Sequence, residues 1–131
     1  MVEATALLLT ALLFGGMTLF AAGFAGVLYQ SLPKPTVGRV LRETFPRFYG
    51  FVIAAAAVSG ALVWFRDGLG ATALAGIAVT ALGARQVLTP AINRATDSGQ
   101  TRRFNWLHGV AVALTMGHIV LAGWVVVRFL D

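Results

Sequence analysis

Charged residues fall at intervals and leave four long uncharged runs, from Glu3 to Lys34, Arg47 to Arg66, Asp67 to Arg85 and Arg103 to Arg128. Apolar residues crowd each run without strict apolar–polar alternation, which argues for helices and against the strands of a β-barrel. A helix needs roughly 20 apolar residues to cross a bilayer. The pattern therefore predicts one domain over residues 1–131, with spans at about 5–30, 47–65, 69–89 and 103–128. The third span reaches the required length only if Arg85 extends its guanidinium to the interface. The first run lacks a basic start and is too long to read as a cleaved signal peptide. The expected fold class is all-α: an antiparallel, integral membrane four-helix bundle.

Prolines and glycines punctuate the runs. Pro33-Lys34-Pro35 ends the first helix. Thr36 to Glu43 then reads as a short amphipathic cytoplasmic helix between the first two spans, with Thr36 as N-cap and Val37, Val40 and Leu41 on one face. Pro46 suits the first turn of the second span. Asp67-Gly68-Leu69-Gly70 makes a tight turn into the third, Pro90 is expected to end or kink it, and Asp97-Ser98-Gly99 forms a loop before the fourth.

Composition sharpens this picture. The chain is 58% hydrophobic and 11% charged, whereas soluble domains carry about 25% charged residues. The net charge of +5 is unevenly placed. Lys34, Arg39, Arg42, Arg47, Arg85, Arg94, Arg102 and Arg103 share one side, and only Arg66 and Arg128 lie on the other. By the positive-inside rule both long loops are cytoplasmic and both termini outside, in the bacterial inner membrane. Nucleic acid is not needed to explain the charge. Arg39, Arg42, Arg47, Arg94, Arg102 and Arg103 instead suit anionic lipid phosphates as well as topology. The absence of cysteine leaves no disulfide, Cys-zinc or iron–sulfur site to consider.

The five acids, Glu3, Glu43, Asp67, Asp97 and Asp131, all sit at ends or in loops, so a membrane-embedded carboxylate for proton coupling is missing. His118 lies near mid-span, as a functional group or as a neutral imidazole bonded to a carbonyl or to Thr115. His108 stands one turn inside the fourth helix, as a ligand or as a fastener of the 86–103 loop. These histidines are ten residues apart on one helix, about 15 Å of rise, so one haem cannot take both. Met17, Met116 and His118 are soft-metal ligand types, but Met116 and His118 point about 200° apart. No metal site and no cofactor are expected. Lone helical hydroxyls without a base do not make a nucleophilic site, so enzyme activity is not expected either.

Small residues recur at packing distance. Gly109, Ala113 and Gly117 form a fourfold stripe, Gly15, Gly23 and Gly26 mark the first helix, and Gly60 the second. Such stripes permit close helix contact, within the bundle or with a second subunit.

Gly16-Met17, Ser31-Leu32-Pro33-Lys34, Gly38 and Phe45-Pro46-Arg47-Phe48-Tyr49 resemble the family typified by animal transmembrane protein 205, a domain of unknown function numbered 4149. Thr89-Pro90-Ala91 and Phe104-x-x-x-His108-Gly109 are similar to its third and fourth helices. This chain has Ala111 and Thr115 where family members often carry Ser and Asn, and His118 matches no family histidine. The resemblance implies a four-helix membrane protein with a link to transport or export. Two functions follow as expectations. One is a transport-related protein, active as a homo-oligomer, with a path lined by Thr18, His108, Thr115 and His118. The other is an accessory subunit of a larger membrane complex.

Overall fold

The computed structural model describes residues Met1–Asp131. Four helices account for nearly all of it: α1 (Val2–Ser31), α2 (Lys34–Val63), α3 (Gly68–Asp97) and α4 (Thr101–Arg128). All four are long and apolar enough to cross a membrane. At 1.5 Å per residue each measures roughly 45 Å, so its ends pass beyond a hydrocarbon layer about 30 Å thick. Each helix packs against its neighbours in chain order and α4 closes back on α1, giving an antiparallel ring. Both termini lie at one end, here the terminal end, and the two basic loops lie at the other, the basic end.

The short separate helix expected at Thr36–Glu43 does not exist, because those residues are the opening of α2. Pro33 rather than Thr36 stands at the N-cap, and Pro35 sits in the first turn, where a helical N–H has no acceptor to lose. Pro46 therefore falls inside α2 and not in its first turn. Continuing through it forfeits one backbone bond, whereas breaking the helix in an apolar medium would expose several.

Pro90 does not end α3 either. Ahead of it, Ala84–Leu88 forms a π-helical turn in which the Thr89 N–H reaches back to the Ala84 carbonyl. This wider turn precedes the proline ring, and the helix runs on to Asp97. A second π-helical turn, Leu19–Phe24, lies in α1.

The core is small-residue packing around a few larger side chains. Ala6, Leu13, Met17, Val52, Leu74 and Ile77 are fully buried. Without hydrophobic drive between helices in lipid, such contact is what holds the bundle. At the terminal end Glu3 pairs with Arg66 at 3.0 Å and Asp67 with Arg128 at 2.7 Å. Arg66 also lies over the Phe129 ring and Arg128 over Trp124. Arg42 and Asp97 make the ion pair of the basic end, at 2.7 Å. Trp64 and Trp124 near the terminal end and Trp106 near the basic end are exposed on the lipid-facing surface, as interfacial aromatics are.

Candidate functional site: a crevice at the basic end

The inward stripe of α1 begins as Ala6, Thr10, Leu13 and Met17, all completely buried. From Leu19 onward no residue of α1 is buried. The matching stripe of α4 runs back from Val125 through Ala122 and His118 to Ala111, and then opens at the half-buried Leu107 and Phe104. Contact between α1 and α4 follows the same course, since α1 packs on α4 through Val2–Thr18. The bundle is therefore closed at the terminal end and parted between α1 and α4 at the basic end.

At the same end, aromatic side chains pack α1 against α2. Phe20 stacks on Phe48 with ring centroids 4.1 Å apart and nearly parallel, and meets Phe45 edge-on at 5.4 Å. Phe24 stacks on Phe20, and Tyr49 neighbours both Phe45 and Phe48. These rings fill the space between α1 and α2 at this level. The cluster brackets Pro46, and Arg85 from the π-helical turn of α3 donates from Nε to the Pro46 carbonyl at 3.1 Å. Arg85 thus ends on a backbone acceptor in α2. These phenylalanines were not among the candidates from sequence. Their spacing, Phe20 with Phe24 and Phe45 with Phe48, is the signal that was available.

Above the opening, the polar residues are sparse. His118 is 6% exposed and its Nε2 lies 2.7 Å from Oγ1 of Thr80 on α3. The partner is Thr80, not Thr115 or a backbone carbonyl. The Thr80 hydroxyl has its own acceptor, the Gly76 carbonyl at 2.7 Å. An imidazole that donates through Nε2–H satisfies both contacts of the Thr80 oxygen at once. A hydroxyl facing an imidazole is half of a nucleophilic site, but here the pair is buried and no carboxylate is hydrogen-bonded to the imidazole to orient it. Thr115, one turn before His118, meets the buried Tyr49 side chain of α2 across the bundle. Thr80→Val should strand the imidazole proton in a dry seam. Interhelical bonds of this kind average about 0.6 kcal/mol, so a modestly lower thermal midpoint in detergent is expected; an unchanged midpoint would show that the pair carries no stability.

The four residues expected along one path do not line one. His118 and Thr115 share the inward face of α4. His108 is exposed and stacks on Phe104 at 5.6 Å rather than fastening a loop carbonyl. Thr18 returns its proton to the Phe14 carbonyl of its own helix. Met17 is buried while Met116 is 46% exposed, and no three His, Asp or Glu side chains converge. Ser59 carries the one buried side-chain polar atom without a hydrogen-bond partner.

Of the expected packing residues, Gly60 is the one in close contact with another helix. A Cβ there would stand 3.3 Å from Cβ of Leu74 and 3.4 Å from the Ala71 carbonyl oxygen. A Cβ on Gly15, Gly26, Gly109 or Gly117 would meet nothing within 4 Å, and on Gly23 only Leu19 of the same helix. Gly109, Ala113 and Gly117 face outward, so the stripe on α4 does not pack this bundle. The glycines that do approach a ring are Gly16, against Phe51, and Gly123, against Phe14. Among the basic residues, Arg42 is neutralised by Asp97, while Arg39, Arg47, Arg94, Arg102 and Arg103 are exposed with no carboxylate partner.

The family profile described as a domain of unknown function (DUF4149) matches residues 8–101. The chain belongs to this family. The DUF4149 match takes in both π-helical turns, the aromatic cluster around Pro46 and Arg85. His108, Thr115 and His118 lie beyond the matched residues. No curated protein and no solved structure matches the chain.

Proposed function

We propose that this DUF4149 protein is a non-enzymatic, transport-related protein of the bacterial inner membrane, with its basic end in the cytoplasm and both termini outside. The supporting observation is the asymmetry of the bundle, parted between α1 and α4 at the basic end and sealed by fully buried side chains at the other. A protein that passes a molecule across a bilayer has to bury it from each side in turn, and this shape suits one stage of that cycle. The excess of unpaired arginines at the open end supports the orientation by the positive-inside rule. The one hydroxyl–imidazole pair is buried with no carboxylate hydrogen-bonded to it, which supports the non-enzymatic reading.

A second reading, an accessory subunit or homo-oligomer, draws on the outward stripe of Gly109, Ala113 and Gly117, which leaves room for another helix.

The natural absence of cysteine makes the two readings separable. Thr10→Cys places a thiol in the sealed half and Leu107→Cys one in the open half. Transport predicts that a membrane-impermeant maleimide labels the Leu107→Cys chain readily from the cytoplasm. It also predicts slow labelling of the Thr10→Cys chain from outside, as the seal opens. Absence of any labelling at position 10 from outside would reject transport and leave the accessory reading.

A further inference from the structure

We infer that the crevice between α1 and α4 is a binding site for one anionic phospholipid drawn from the leaflet at the basic end. The inference deepens the transport-related reading, since it rests on the same crevice and names the class of molecule taken in.

Three features converge on this occupant. The crevice opens sideways as well as endways, because the helices that part, α1 and α4, are adjacent members of the ring. What lies against that opening in a membrane is lipid. The apolar residues at this end are only partly covered: Phe24 and Leu28 on α1, and Phe104 and Leu107 on α4, are each half-buried or just short of it. Close-packed interiors do not leave such faces apart without filling the space, and an acyl chain has the width and flexibility to do so.

Charge decides which lipid. Arg102 and Arg103 stand at the mouth on the first turn of α4, and with Gln100, Trp106 and Leu107 they line one concavity. Both are exposed, and neither has a carboxylate partner. The nearby Asp97, which would otherwise compete, is held in two hydrogen bonds by Arg42. Two free guanidiniums beside an apolar slot match a phosphate joined to an acyl chain, since guanidinium binds phosphate oxygens in a planar, two-pronged manner. A zwitterionic lipid brings its own cation to that mouth and gains less. Leu107 belongs both to this concavity and to the inward stripe of α4, which places the headgroup site next to the chain site.

The test uses the full chain reconstituted into vesicles of equimolar phosphatidylglycerol and phosphatidylcholine, then released for native mass spectrometry. One retained phosphatidylglycerol per chain is expected, in clear preference to phosphatidylcholine. Each arginine near an anionic headgroup contributes a factor of about five. Arg102→Gln with Arg103→Gln should therefore lower the preference about twenty-fold or more, while Lys34→Gln, at an exposed position outside the arginine set, leaves it. Leu107→Trp, which fills the slot, should reduce retention of either lipid. Equal retention of the two lipids by the unaltered chain, or a preference indifferent to Arg102 and Arg103, overturns the inference, as does a homodimer that carries no lipid. Should the double variant fail to fold, Trp106 serves as reporter in a Trp64→Phe, Trp124→Phe background. Brominated phosphatidylglycerol should quench it more than brominated phosphatidylcholine, and equal quenching overturns the inference. Retention of lipid with no outside labelling at position 10 would keep this site and reject transport; labelling without selective retention would do the reverse.

Discussion

Gly60→Leu should dismantle the contact between α2 and α3, while Gly117→Leu should leave the isolated bundle intact. At position 60 even the first carbon of a side chain would stand 3.3 Å from Leu74 and 3.4 Å from the Ala71 carbonyl oxygen. The neighbours there are backbone and a Cβ, which cannot rotate away, and three further carbons have to be housed behind it. Overpacking of this kind typically costs about 1–3 kcal/mol, and a rigid backbone neighbour places this site at the upper end. At position 117 no atom lies within 4 Å of the added carbon, and the leucine enters lipid at little cost. Thermal unfolding in mild detergent, followed by the helical circular dichroism signal, separates the two. A clear drop for Gly60→Leu and none for Gly117→Leu is expected; equal drops would refute the outward placement of the α4 stripe. Loss of a complex in the membrane by Gly117→Leu, with monomer stability retained, would identify that stripe as a docking face for a second subunit.

Acid should loosen the terminal end through Asp67. Its carboxylate takes two hydrogen bonds from Arg128, at 2.7 Å each, and one from the Gly70 N–H at 3.0 Å as the N-cap of α3. Residue 70 has to be glycine for this approach, because the carboxylate occupies the space of a side chain there. The Arg128 hydrogen bonds, followed by the Gly70 bond, hold the Asp67 pKa down to about 2 from an ordinary 3.8. A carboxylate whose pKa is lower in the folded chain binds its proton more readily when unfolded, so its stabilisation is complete above the unfolded value. That contribution is present in full above about pH 5 and is lost as the pH falls through 4 toward 2. Asp67→Asn keeps a capping oxygen and removes the charge, so its stability should follow pH less steeply than the unaltered chain across that window. Asp67→Ala removes the cap as well and should cost about 1 kcal/mol more. The difference between unaltered chain and Asp67→Asn is the measurement, because everything except the Asp67 charge is common to both. Parallel curves from pH 5 to pH 2 would refute the role given to the Asp67–Arg128 pair.

Several elements were plain in the order of residues. Four apolar runs, each bounded by charge, are four helices, and the acidic Asp67 before Gly68 does start α3. Helix limits near proline were less legible. Pro33-Lys34-Pro35 does separate α1 from α2, but Pro46, expected in a first turn, and Pro90, expected to end or kink its helix, each lie within a continuous helix. A proline is a local penalty of one hydrogen bond, and a helix in an apolar medium runs on because breaking would leave several backbone groups unpaired, helped before Pro90 by a π-helical turn.

The candidate site was less legible than the fold. His118 stood out because an ionisable group in a long apolar run is costly anywhere in that run, and burial of His118 follows from that cost. Its partner did not, because Thr80 is 38 residues away and no periodicity connects one helix face to another. The glycine stripes show the same divide. Spacing by four places Gly109, Ala113 and Gly117 on one face of α4, but a helix in lipid is apolar all round, so its pattern does not tell core from surface. Membrane location, helix number and the uneven division of charge are properties of single segments and their sum, and the chain's order of residues settles them. Which face turns inward, where aromatic rings gather between two helices, and which arginines are left without a carboxylate depend on contacts between segments, and these exist only once the helices are packed.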